Sequence, residues 1–197
     1  MLKNDLEPRL AEARESRRSV FFMDAAHFVL GSFLGYLWCM ARVFVRASSG
    51  RQRYNVLGAI NALTHQLVRV SNDGYITATT VCELLVKLKA LHLATPITRV
   101  LDNARYQRCR LVQDMAQTLK IELLFLPSYS PNLNLIERLW KFVKKTALNS
   151  RPHASFAEFR SAIDQCLDEL PTTHQSQMAT LMTPTFQTFE NVLRLAA

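Results

Sequence analysis

Apolar and polar residues alternate along the chain with two periods, one near two and one near 3.6, which separates strands from helices. Residues 19–24 (SVFFMD) form a buried-strand run that ends in an acid. Residues 54–62 (YNVLGAINA) read as a second strand, and residues 65–70 as its neighbour across a tight turn at Leu63 and Thr64. Asn72, Asp73 and Gly74 close that third strand with strong turn chemistry. Residues 77–92 then carry Val81, Leu84, Leu85, Leu88 and Leu91 at helical spacing. Residues 97–101 are another buried strand, and it too runs into an acid, Asp102. Residues 105–119 are helical, with Leu111, Val112, Met115 and Leu119 predicted to face inward. The last core strand, residues 121–126, stops at Pro127, which has no N–H for a ladder. After Arg151 and Pro152 an amphipathic helix covers residues 156–170. Residues 25–45 are aromatic-rich and ambiguous, and the tail from Pro171 shows no clear pattern.

The stretch from Leu126 to Lys145 (LPSYSPNLNLIERLWKFVKK) has the most structure written into it. Ser130 before Pro131 predicts a helix start, because the hydroxyl can cap free N–H groups and proline suits the first turn. Leu133, Ile136, Trp140, Val143 and Ala147 then recur at steps of three and four, giving one apolar stripe with Trp140 in the core. Glu137 lies at the border of that stripe, and Arg138, Lys141, Lys144 and Lys145 fill the rest of the surface. Taken alone, Glu137 could simply pair with Lys141 one turn on, a contact worth a few tenths of a kcal/mol.

The element order is three strands, then helix, strand, helix, strand and two helices. Strands alternating with helices imply parallel neighbours, so the fold class is α/β, a mixed sheet flanked by helices. The 197 residues suffice for one domain with a full core. Residues 1–18 are expected to be a charged arm or helix without a core-forming stripe, residues 19–150 the core, and residues 151–197 a helical extension of it. Net charge is +8, which suits a polyanionic partner. Cys39, Cys82, Cys109 and Cys166 stand singly without zinc spacing and read as free thiols. Neither a signal-type start nor an uninterrupted membrane-length apolar run occurs, so a cytoplasmic protein without membrane contact is expected.

Asp24 and Asp102 each follow an apolar strand, where an acid is out of place unless it caps, hydrogen-bonds or binds something. On parallel neighbouring strands both would reach the same region of the sheet, at the carboxyl ends where ligand sites gather. Adjacent carboxylates repel, and a divalent cation removes the repulsion. Glu137 would complete an oxygen-only set suited to Mg²⁺ or Mn²⁺. Two such ions about 3.5–4 Å apart serve phosphoryl transfer. His27 reads as a packed histidine, since these ions prefer oxygen.

FFMDAAHF with Asp24, RVLDNARYQ with Asp102, and the Leu126–Lys145 stretch with Glu137 together resemble the catalytic domain of DDE transposases, in the mariner-related insertion-sequence group (IS-six-thirty type). The 34 residues between Asp102 and Glu137 match that group's interval. Asn132, Leu135 and Ala25 depart from the commonest motif residues without touching the three acids. The resemblance implies a ribonuclease H-like five-stranded sheet of order 3-2-1-4-5. It implies that Asp24, Asp102 and Glu137 hold two Mg²⁺ or Mn²⁺ ions, that hydrolysis at element ends frees a 3′-OH, and that this hydroxyl attacks target DNA at TA. Asn103 would orient Asp102 or simply build its turn, Tyr129 would stack on a base or pack, and Arg105, Arg138, Lys141 and Lys144 are candidates for phosphate contacts. Expected partners are double-stranded DNA, further copies of the chain in a synaptic complex and, as the usual preceding helix-turn-helix module is absent, a separate subunit carrying one. A nucleoid location follows. Two other readings stay open: a catalytically silent DNA-binding remnant that competes with a full transposase, and a ribonuclease H-like nuclease without strand transfer.

Overall fold

Five strands form one sheet in the order β3-β2-β1-β4-β5, as the resemblance implied. They are β1 (Ser19–Val29), β2 (Arg53–Asn61), β3 (Leu67–Asn72), β4 (Ile97–Leu101) and β5 (Ile121–Phe125). A computed structural model provides the fold and describes residues 2–31, 40, 52–127 and 133–183. Strands β1, β2 and β3 are antiparallel in turn, while β4 and β5 run parallel to β1. The helices are α1 (Glu7–Arg14), α2 (Ala78–Lys89), α3 (Arg110–Leu119), α4 (Ile136–Val143), α5 (Phe156–Asp168) and α6 (Gln175–Leu181). Among the described residues no helix is long and apolar enough to cross a membrane.

Period-two alternation splits the core into two layers. One face of β1, with Val20, Phe22, Ala26 and Phe28, packs with α1, α4 and α5 through Leu10, Trp140, Val143 and Ile163. The other face, with Phe21 and Met23, packs with α2 and α3 through Leu84, Leu85, Leu88 and Val112. Asp24 lies in step with Phe22 and Ala26, so it belongs to the α4 side.

Several boundaries differ from the sequence expectation. Strand β1 does not end at Asp24 but continues to Val29, because β2 pairs with it from Phe21 through Val29. His65 sits at φ 58° in the loop, and β3 begins two residues later at Leu67. Helix α3 starts at Arg110 rather than near residue 105, since Asp102 and Ala104 seed turns that occupy the intervening residues. Leu111, expected inward, is 49% exposed, while Val112 and Ala116 carry the buried stripe. Helix α4 begins at Ile136, and Ser130 and Pro131 lie outside the described residues.

The N-terminal segment also departs from a bare charged arm. Leu6, Leu10 and Ala13 recur at steps of four and three and are buried in the main core. Charged neighbours hide that stripe from a simple reading of the sequence. Arg9 donates to Glu122 of β5 at 2.8 Å, and Arg18 reaches Glu122 at 2.9 Å and Thr98 of β4 at 2.7 Å. Burial tends to raise the Glu122 pKa, but hydrogen bonds from Arg9 and Thr98 outweigh it and hold the carboxyl below its usual range. This segment therefore clamps the β4–β5 side of the sheet.

Candidate active site

Strand register directs Asp24 and Asp102 toward the same part of the sheet. Strand β1 pairs with β4 from Ser19 opposite Ile97 to Phe22 opposite Val100, and the same offset carried two residues past the last pair would set Asp102 beside Asp24. Across β2, Asp24 lies opposite Gly58. A Cβ at Gly58 would come within 2.8 Å of the Trp140 ring and 3.2 Å of Ile136 Cδ1, so the missing side chain lets α4 settle over Asp24. Glu137 stands between those two contact residues in the first turn of α4. We expect Gly58→Ala to cost about 1–3 kcal/mol by overpacking and to change Trp140 fluorescence, as urea titrations followed by emission will register.

Electrostatics couples the three acids. The Asp24 carboxyl is pushed from an ordinary 3.8 to about 7, first by burial and then by the negative charges of Glu137 and Asp102. The Ala25 N–H and the Trp140 indole N–H oppose that shift. The indole N–H is close enough to act on Asp24 yet makes no hydrogen bond of ordinary geometry. Asp102 and Glu137 are both half-buried. One oxygen of Asp102 accepts the Ala104 N–H at 3.1 Å, forming the turn that Asp-Asn favours. Asn103 does not hold Asp102. Its amide donates to the Leu126 carbonyl and so ties the end of β4 to the end of β5.

The donor set, all carboxylate oxygens with one acid held partly neutral by burial first and its neighbours' charge second, suits a hard divalent cation. Among the described residues, no three acids, histidines or cysteines stand close enough together to hold an ion as they are. Residues 128–132, which join β5 to the turn before α4, lie outside the described residues. Tyr129 falls in that stretch. Arg105, Lys141 and Lys144 are exposed, on the loop after β4, on α4 and just beyond it. Arg138 donates to the carbonyls of Leu181 and Thr183 at 3.1 and 2.8 Å, so it anchors the end of α6 to α4. His27 is exposed, and its Nδ1 is bonded to Asn55 at 2.6 Å, so it packs against a polar partner rather than in the core. Of the four cysteines, Cys82, Cys109 and Cys166 are free, and Cys39 lies outside the described residues.

Sequence reasoning passed over three residues around this site. Gly58 is the first. Asn134 is the second: it is buried, and its amide donates to the Met23 carbonyl at 3.0 Å, pinning the start of α4 to the strand residue before Asp24. Asn134→Ala should cost roughly 1–3 kcal/mol, with Asn134→Asp no better, as thermal melts of the metal-free protein will show. Tyr106 is the third, a half-buried phenol packed against the layer beneath α2 and α3, whose pKa is raised first by burial and then by the charges of Asp102 and Asp24. Only Asn134 had a legible signal, since a polar residue stands there within an apolar stretch.

The sequence model of the DDE superfamily endonuclease family matches residues 19–160. No curated protein sequence matches the chain. Among solved structures it is similar to the Mos1 strand transfer complex, at 18% identity and a TM-score of 0.57, over 94% of this chain and 61% of that one. It is also similar to the mariner Mos1 paired-end complex with Mg, at 17% identity and 0.56, over 94% and 62%. The HTLV-2 integrase catalytic core with magnesium, in its dimeric form, aligns at 13% identity and 0.52, over 78% and 86%. These likenesses establish the fold, and the chain spans about three-fifths of the Mos1 chains. With the ribonuclease H-like sheet of transposase and integrase cores and a family match over most of its length, the chain belongs to the DDE superfamily endonucleases.

Proposed function

We propose that this chain is the catalytic subunit of a DNA transposase. It cuts phosphodiester bonds at element ends and joins the freed 3′-OH to target DNA. The observation that carries this reading is a sheet of order 3-2-1-4-5 in which β1, with Asp24, lies parallel and next to β4, which runs into Asp102, while α4, with Glu137, packs on β1. Asp24, Asp102 and Glu137 would hold two Mg²⁺ or Mn²⁺ ions. When bound, such ions polarise the scissile phosphate and lower the barrier to attack by water or hydroxyl. The chain's own residues set the stage. Asn134 and the Gly58–Trp140 contact fix α4, and with it Glu137, over β1. Asn103 and the Asx turn fix the loop of Asp102.

Exposed Arg105, Lys141 and Lys144 line the approach as phosphate contacts, with the net charge of +8 adding a salt-dependent attraction to DNA. Asn103 and Arg138 serve DNA binding indirectly, through the loop and through α6. Tyr129, next to Ser130 and Pro131, stacks on a base near the cut. Partners are element ends, target DNA, further copies of the chain, and a helix-turn-helix subunit that reads the terminal repeats, in the nucleoid. Residues 19–150 form the catalytic core, with the flanking segments packed as parts of the same domain.

A second reading, a silent DNA-binding protein that competes for ends, is favoured by one fact: the described acids do not close into a ligand cluster. Incubating the purified chain with Mg²⁺ or Mn²⁺ and labelled DNA separates the two. Nicked and joined products support the first reading. DNA binding with no metal-dependent product supports the second.

A further inference from the structure

Trp140 is 4% exposed, and its indole nitrogen is buried without a hydrogen-bond partner of ordinary geometry. A buried indole N–H ordinarily finds an acceptor, and one left alone is a burden on the fold. Phenylalanine would fill most of the same space with no N–H to satisfy. Packing alone therefore gives no reason for a tryptophan here. The setting of the ring shows where the N–H is aimed. Phe28 of β1 meets the indole edge-on, with centroids 6.4 Å apart and planes at 82°. At Gly58 the position of a Cβ lies 2.8 Å from Trp140 Cη2 and 3.1 Å from Cζ2. Cζ2 and Nε1 are bonded to the same ring carbon, so the edge that carries the N–H is the one turned toward Gly58. Gly58 is the cross-strand partner of Asp24, and the side chains of such partners start about 5 Å apart on the same face. Asp24 is thus the acid that this geometry sets within reach of the indole N–H. The same N–H acts on the Asp24 carboxyl against the upward push of burial.

We infer that Trp140 is a positioning residue: its indole N–H donates to the ionised carboxylate of Asp24 and so fixes which Asp24 oxygen is left to face Asp102 and Glu137. The bond is charge-assisted and lies away from water, where such bonds are strong. Its value for metal binding rests on Asp24 belonging to the proposed site, whereas the bond itself needs no metal.

The chain has two tryptophans, Trp38 and Trp140. The test replaces Trp140, in a Trp38→Phe chain, with benzothienylalanine, which keeps the shape of the ring and puts sulfur in place of the N–H. Urea unfolding of the full chain in EDTA at pH 8 is compared with and without this replacement, once with Asp24 present and once in an Asp24→Ala background. Loss of the N–H should raise the unfolding constant by about tenfold or more where Asp24 is present, and should leave it unchanged or lower it where Asp24→Ala has removed the acceptor. Mn²⁺ affinity with Asp24 present, read by electron paramagnetic resonance, should fall by about 10–100-fold. An equal effect in the two backgrounds, or a Mn²⁺ affinity untouched by loss of the N–H, would overturn the inference. Failure of the Trp38→Phe parent to bind Mn²⁺ would count against the metal site alone, and the unfolding cycle would still decide on Trp140. If the benzothienyl chain does not fold, Trp140→Phe takes its place with the same expectations.

Discussion

Glu137→Gln should leave the protein folded and reduce Mg²⁺-dependent nicking by on the order of a thousandfold or more, since losing one anionic ligand removes several kcal/mol of transition-state stabilisation. The substitution keeps the size of the side chain and its place in α4, so packing of Ile136, Leu139 and Trp140 is undisturbed. Asp102→Asn should behave alike. Circular dichroism and a nicking assay on the same preparation check both. Loss of activity with loss of fold says nothing, whereas full activity in a folded Glu137→Gln protein removes Glu137 from the site.

Asp24→Asn should do something opposite to stability. In the folded protein Asp24 keeps its proton to about pH 7, against 3.8 ordinarily. The native state thus binds the proton more tightly than the unfolded chain, so the contribution of Asp24 falls as pH rises through that window. Above pH 7 the ionised, buried carboxylate is a burden on the fold. Asp24→Asn removes it and should stabilise the metal-free protein at pH 8 by roughly 2–4 kcal/mol, with little gain below pH 4. Mg²⁺ should raise the melting temperature of the wild type at pH 8, because a ligand of the native state stabilises it, and should not raise that of Asp24→Asn. Melting curves at pH 4 and 8, with Mg²⁺ and with EDTA, settle the sign. A destabilised Asp24→Asn at pH 8 contradicts the account.

Much of this was readable in the sequence where local chemistry and tertiary structure agree. Residues 97–101 emerged as β4 because four apolar or β-branched positions out of five, between turn residues, have few alternatives. The mixed sheet followed from strands alternating with helices, and its order from the resemblance to DDE transposases. The ends of elements were harder. Strand β1 overruns Asp24 because β2, far along the chain, keeps pairing to Val29. Helix α3 starts late because Asp102 takes the Ala104 N–H for a turn that no periodicity announces. Leu6 and Leu10 gained a core role only from surfaces supplied by distant elements. Within the site, Asp24 and Asp102 were visible as misfits after apolar strand runs. Gly58 was not, because its meaning lies in the indole that stands opposite it.

The most direct measurement is a crystal structure of the full chain soaked in Mn²⁺, with anomalous scattering used to find the ion. Density bound by carboxylate oxygens of Asp24, Asp102 and Glu137 is the predicted result. Density elsewhere, or a fully ordered trio that leaves the ion unbound at millimolar Mn²⁺, would contradict the claim that these three acids form one metal site.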